Sequence, residues 1–311
     1  MNKRLTWWRY LAPVDTLIIF FLCSLGIYII LRSGTIPEWP YVIISNVAGS
    51  FIIVLLARIV QYPQRKFLRV VHDWYPVPVI FFVFKEVYFI IQGLGLQDWD
   101  QVLIACDRYL FHTDPTIWLM QFSSPLVTEI LQIAYVSYYL LMITLGVELY
   151  ARREYQKFSF TVFTITYGFL LSYVGYMIFP AVGPRFTLHE FDKLNTELPG
   201  IFLTNPLRDF INSGESIPQH IPNPIAFAQR DAFPSGHTEM TLIVIYLACK
   251  FKISSRWWLY VFGTLLIIST VYLRYHYITD LLGGALVMIF TIWTAPKLIA
   301  QWNKKVSSRP L

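Results

Sequence analysis

Charge is what this chain of 311 residues most lacks: Asp, Glu, Lys and Arg make up 14% of it, against 56% hydrophobic and 17% aromatic residues. Soluble domains carry about 25% charged residues, and a protein of this length must dress roughly a quarter of its chain surface in groups that water tolerates. The shortage excludes a cytosolic globular enzyme. Cysteine is scarce as well. Cys23, Cys106 and Cys249 stand far apart and match no metal-ligand or redox spacing, which excludes a disulfide framework and leaves small buried hydrophobes as their expected role. Internal repeats and low-complexity stretches are also lacking, so residues 1–311 are expected to form one membrane domain.

Long apolar runs are what the sequence has. About 20 helical residues cross a ~30 Å hydrocarbon layer, and eight runs approach that length, at 14–31, 41–60, 76–94, 128–150, 158–179, 234–251, 257–275 and 278–295. They are continuous rather than alternating with period two, so each can satisfy its backbone hydrogen bonds as a helix and a barrel is excluded. The expected fold is an all-α polytopic membrane protein with about eight transmembrane helices. Lys3, Arg4 and Arg9 precede the first run in the manner of a signal peptide, but no small-x-small cleavage site follows and Phe21-Leu22 before Cys23 is a poor lipoprotein site. The first run therefore reads as an uncleaved span.

Short cytoplasmic loops accumulate Lys and Arg. With both termini inside, 17 of the 25 basic residues fall on the inner side, while Arg32, Arg108, Arg185, Lys193, Arg208, Arg230 and Arg274 fall outside. The net charge of +6 is then a topology signal rather than a nucleic-acid footprint, because no basic stripe interleaves with aromatics in a soluble domain. A cytoplasmic membrane is the simplest location. Two outer segments are too long to be turns. Segment 95–127 contains Trp99 to Phe111 with apolar positions at helical spacing, expected to lie along the outer interface. Segment 180–233, rich in Pro, Gly and Asn, leads into the most reactive-looking motif in the chain and is expected to cap a site.

That motif is Phe233-Pro234-Ser235-Gly236-His237-Thr238. With proline in the first turn and Ser235 able to cap, the amides of Ser235, Gly236 and His237 are expected to face an anion such as a phosphate oxygen, and Gly236 allows close approach of backbone to ligand. A second motif runs from Ser269 to Asp280. His276 and Asp280 are four apart, on one face if the segment is helical, so the carboxylate can hold the imidazole tautomer. The topology puts both histidines at one membrane face. Such a pair suits two-step phosphoryl transfer, in which one group takes the phosphoryl and another protonates the leaving alkoxide.

Other charges have plainer readings beside the functional ones. Asp231 can cap its loop or pair with Arg230, and Glu239 is expected to be structural. Lys85-Glu86 lies within a span, where charges default to function or pairing; adjacent helical residues diverge by about 100°, so Lys85 is a possible cavity residue. Tyr135, Tyr138 and Tyr139 read as packing and interface belt.

Pro234-Ser235-Gly236-His237 followed by His276-Tyr277-x-x-Asp280 resembles the type 2 phosphatidic acid phosphatase (PAP2) superfamily, membrane enzymes acting on lipid phosphate esters without a metal or other cofactor. Asp231-x-x-x-Ser235-Gly236-His237-Thr238 is similar to the sphingolipid synthase branch, which includes inositol phosphorylceramide synthases. The resemblance covers about residues 128–296. It implies His276 as phosphoryl-accepting nucleophile, Asp280 as its partner, His237 as acid, and a membrane lipid as substrate, with no nucleic-acid partner. The phosphatases carry Ser-Arg seven residues before the nucleophile and a Lys-x6-Arg-Pro motif; here Ser269-Thr270 and Gly183-Pro184-Arg185 stand in those places. Arg185 and Arg274, and less directly Arg230, are the cations left to bind phosphate with Ser235 and Gly236. These departures favour a lipid phosphotransferase acting on the extracytoplasmic face. A plain phosphatase on phosphatidic acid or a prenyl diphosphate is the alternative, and a transporter or channel is the rival of another class.

Overall fold

The computed structural model describes residues 10–62, 64–217 and 222–307, and among them it is helical with no strand. Lys3, Arg4, Arg9 and Arg309, part of the expected inner-face charge, lie outside the described residues. The chain forms two compact units. One comprises residues 1–95, 159–170 and 290–311, the other 96–158 and 171–289.

The first unit contains α1 (Pro13–Leu31), α2 (Trp39–Ile59), α3 (Lys66–Trp74) and α4 (Pro76–Leu94). Proline within the first turn of α1, α2 and α4 costs nothing, since the first amides of a helix have no internal acceptor. α1 packs along α2. Asp15 is fully buried in α1, where it accepts hydrogen bonds from the amide of Ala12 at 2.7 Å and the Tyr75 hydroxyl at 2.7 Å, with His72 Nε2 at 3.1 Å. The mid-span pair divides as its helical angle requires. Glu86 is buried and accepts from Ser45 Oγ at 2.9 Å and, with the Asn46 amide turned so that its nitrogen faces the carboxylate, from that nitrogen at 2.9 and 3.1 Å, whereas Lys85 Nζ lies 6.0 Å from the Phe84 ring centre.

The second unit holds α5 (Asp100–Phe111), α6 (Pro125–Val136), α7 (Tyr138–Ala151), α9 (Thr204–Gly214), α10 (Gly236–Phe251) and α11 (Arg256–Tyr272); α8 (Tyr155–Ile178) and α12 (Ile278–Ser307) contribute to both units. α6 and α7 form one apolar pair bent by 49° at Ser137. α11 packs on α10 and α6. Where α12 crosses α10, a Cβ on Gly283 would meet the Phe233 ring and one on Gly284 would meet the Ser235 carbonyl, so only glycine lets these backbones approach. Within segment 95–127 the stretch Asp100–Phe111 is helical as expected, and this α5 buries Leu103 and Ile104 and exposes Tyr109.

One expectation is met in part here and another changes. Among the described residues five helices, α1, α2, α8, Lys66–Leu94 and Ile278–Lys305, are long and apolar enough to cross a membrane, and six spans result if the bent pair is one. α10 and α11, with 16 and 17 residues, are shorter than the runs that suggested them, because the first and last residues of those runs are spent in turns. Cys23 and Cys249 are exposed rather than buried. Apolar side chains on the outside of a membrane protein are as comfortable against lipid as others are inside it, so hydrophobicity does not tell the two apart.

Candidate active site

α10 begins at Gly236, two residues after the start of the run 234–251. Ser235 is its N-cap, with Oγ accepting from the amide of Thr238 at 3.2 Å, so Pro234 precedes the cap instead of occupying the first turn. The Ser235 amide is not free for an anion, because it donates to the Asp280 carbonyl at 2.9 Å. Gly236 and His237, first in the helix, keep amides that have no acceptor one turn earlier. A Cβ at Gly236 would run into the Tyr176 hydroxyl, and the Gly236 carbonyl accepts from Tyr138 Oη at 3.1 Å. The His237 ring lies between aromatic neighbours. Its centroid is 4.7 Å from that of Tyr135 and 4.4 Å from that of Tyr138, two residues on either side of the Ser137 bend.

His276 reaches the same place from a loop, not from a helix. After α11 ends, Arg274 takes a left-handed φ of 68°, and the amides of Tyr275 and His276 both donate to the Thr270 carbonyl, at 2.9 and 3.0 Å. This tight turn aims the imidazole inward, where it is 4% exposed. Asp280, in the first turn of α12 and fully buried, accepts from the amide of Tyr277 at 2.9 Å. Its Oδ2 lies 3.2 Å from His276 Nδ1, and the Ala232 carbonyl lies 2.9 Å from the same nitrogen.

These contacts fix the tautomers. A ring nitrogen facing two acceptors carries the proton, so His276 Nδ1 is protonated and Nε2 presents its lone pair. Nε2 is 3.3 Å from His237 Nδ1, which therefore is the donor. Burial pushes His276 down to about 4, opposed by the Asp231 carboxylate and the Ala232 carbonyl and assisted by the Arg185 charge. The imidazole is neutral at ordinary pH. A buried, neutral, oriented nucleophile beside a proton-bearing partner can open a phosphate ester.

A family model described as PAP2 superfamily matches residues 101–294, a stretch that includes both histidine motifs. The chain belongs to the PAP2 superfamily. Neither a curated protein nor a solved structure matches it. PAP2 proteins are phosphatases and phosphotransferases, and the chain's apolar helices fit an integral membrane member.

Within this PAP2 core the cations are distributed unevenly. Arg185, 4% exposed, is the arginine whose charge reaches His276; its guanidinium lies 4.7 Å from the Tyr275 ring centre and pairs with Glu215. Arg274 is fully buried and turns to Glu197, Nη1 to Oε2 2.5 Å, while its Nε and Nη2 meet no partner among the described residues. Arg230 pairs with Asp98 at 2.8 Å, and the charge of its neighbour Asp231 is felt at His276. Lys85 belongs to the other unit. Glu239 is fully buried and accepts from Ser172 Oγ, as a structural residue would.

Several residues that hold the site were not singled out from the sequence. Asp100 accepts from the amides of Val182 at 3.0 Å and Gly183 at 2.8 Å and from Tyr277 Oη at 2.8 Å. Asp107 accepts from the amides of Ile278 and Thr279 at 2.9 and 2.8 Å and from Thr279 Oγ1 at 2.6 Å, capping α12 from a different helix. Their signal was a pair of acids seven apart, hence on one face of α5, and it was the buried face. Glu129 likewise receives the amides of Ile201, Phe202, Leu203 and Thr204 at 2.6–3.3 Å, anchoring the start of α9 within segment 180–233.

Proposed function

We propose that the protein is a lipid phosphotransferase working through a phospho-His276 intermediate, moving a phosphate-linked head group as inositol phosphorylceramide synthases do. The observation that carries this reading is the trio of His276, Asp280 and His237, with one imidazole held by carboxylate and carbonyl and the other 3.3 Å from its free nitrogen. Nε2 attacks phosphorus, forming an N–P bond as the P–O bond to the lipid alcohol breaks. With the anionic substrate bound, His237 carries a second proton and gives it to the departing oxygen, which leaves its ring neutral. The same residue then takes the proton of an acceptor hydroxyl, whose oxygen attacks phosphorus and restores His276. Asp280 stabilises the imidazolium-like charge that develops on His276, and the amides of Gly236 and His237 with Arg185 stabilise the phosphoryl oxygens. A reacting pair needs about 3–3.5 Å between nucleophile and phosphorus, so substrate must part the two rings.

Thr270 standing where the phosphatases carry arginine supports transfer over hydrolysis, because it withdraws a charge that a doubly ionised phosphate would use. The reading includes eight spans, with α10 and α11 also crossing: at 1.5 Å per residue they are about 24 and 26 Å long. It also includes inner termini and a site on the outer face of the cytoplasmic membrane, as the distribution of Lys and Arg supports. The test is turnover by the purified protein in detergent. Transfer of phosphoinositol from phosphatidylinositol to ceramide is the expected result; release of phosphate from phosphatidic acid without transfer to any lipid hydroxyl would replace this reading with a simple phosphatase.

A further inference from the structure

Three guanidinium groups around segment 180–233 already have carboxylate partners: Arg185 with Glu215, Arg274 with Glu197 and Arg230 with Asp98. Asp231 adds a further negative charge whose field reaches His276. Of the three pairs, Arg185–Glu215 adjoins the histidines. The Arg185 guanidinium packs on Tyr275, Tyr275 stacks on Tyr135 at 4.2 Å, and Tyr135 stacks on His237.

Glu215 is oddly placed unless Arg185 is counted. It is the C-cap of α9, where the negative end of the helix dipole disfavours an anion, and Arg185 compensates that position. Asn212, one turn earlier, adds a contact at 3.4 Å to Arg185 Nη1. The remainder of α9 is secured separately: Glu129 holds its first amides, and buried Arg208 donates to the carbonyls of Leu194 at 3.3 Å and Leu198 at 2.7 Å. The Glu215 carboxylate can therefore shift on Arg185 without releasing the helix that carries it.

We propose that Glu215 is a specificity-determining residue: by occupying Arg185 it offsets that positive charge beside the histidines, so that a singly charged phosphodiester is accepted in preference to a doubly charged phosphomonoester. This rests on reading the site as one for lipid phosphate esters. A phosphomonoester carries about −1.5 to −2 at pH 7, and placing it against Glu215 and Asp231 sets like charges together, a repulsive element of the kind that specificity requires. A diester has a single charge, which Arg185 can share with Glu215. Hydroxyls of a polyol head group can also donate to that carboxylate.

The test is binding, read without turnover so that it fails or succeeds apart from the phosphotransfer reading. Glycerol 3-phosphate serves as monoester and glycerophosphoinositol as diester, titrated into the full-length protein in detergent. Wild type should favour the diester, and Glu215→Gln should shift the monoester-to-diester preference toward the monoester by roughly tenfold, the scale of one unit charge near the ligand at intermediate dielectric. Glu190→Gln, which removes a charge from an exposed pair with Lys193 in the same segment, should leave the preference as it is. An equal shift in both variants, no shift in Glu215→Gln, or a failure of both probes to bind wild type overturns the proposal. Glu215→Ala repeats the test with a smaller side chain.

Discussion

Asp107→Asn probes how the segment carrying His276 and Asp280 is held. Asp107 is buried and caps α12 with three hydrogen bonds, two to Thr279 and one to the Ile278 amide. Asparagine keeps one oxygen for Thr279 but turns an NH2 toward Ile278, setting donor against donor. An unsatisfied buried amide costs about 1–3 kcal/mol, and losing an anion at a helix N-terminus costs up to about 2 kcal/mol in a buried setting. Together the loss is about 2–4 kcal/mol. The assay is hydrogen exchange of the amides at 276–284 in detergent, where a loss of that size speeds exchange by roughly thirtyfold or more. Because Asp280 lies in the capped turn, turnover should also fall, by between about tenfold and a hundredfold for a displacement near 1 Å. Asp114→Asn is the comparison: it breaks an ion pair with Arg108, which is 56% exposed, and such pairs contribute about 0–1 kcal/mol. Exchange and turnover in Asp107→Asn no different from those in Asp114→Asn would refute the capping argument.

Gly236→Ala should abolish measurable turnover, since its methyl group collides with the Tyr176 hydroxyl, and adding Tyr176→Phe should restore part of it; a fully active single variant contradicts the close approach. Arg185→Ala should lower kcat/KM by about a hundredfold, whereas Arg230→Ala, whose guanidinium is engaged by Asp98, should lower it less than about threefold; reversed effects would exchange their roles. Burial sets His276 at about 4, below the ordinary histidine value near 6.5, so the unfolded chain binds a proton that the folded chain does not. Its contribution to stability therefore falls as pH drops from about 6.5 to about 4, while the nucleophile stays unprotonated. Single-turnover formation of the phosphoenzyme should stay level down to about pH 5, and a limb with its midpoint near 6.5 would refute the assignment.

The trio of His276, Asp280 and His237 was legible as a candidate site because phosphoryl-transfer chemistry needs particular residue types at fixed local spacing: His276 and Asp280 are four apart, and Ser235-Gly236-His237 is contiguous. The family match over residues 101–294 agrees with that reading at the level of the superfamily. What surrounds the trio was not legible, because its contacts join distant parts of the chain. Asp107 and Thr279 are separated by 172 residues, Glu129 and Thr204 by 75, and nothing local in either member names the other. The arginines were visible as charges, but their partners were not, so Arg185 and Arg274 looked alike until one was found beside the histidines and the other beneath Glu197. Tyr135 and Tyr138 read as packing and belt aromatics; both are buried, but composition does not show the bend that sets which ring they pack on. The 49° break at Ser137 turns both toward His237.

The central claim is that His276 becomes covalently linked to phosphorus. The direct measurement is rapid quenching of the purified protein with its lipid substrate under alkaline conditions that preserve phosphohistidine, followed by mass spectrometry of the peptide containing residue 276. The account predicts an adduct on His276 that is lost, together with turnover, in His276→Ala. An adduct on another residue, or wild-type turnover in His276→Ala, would contradict it.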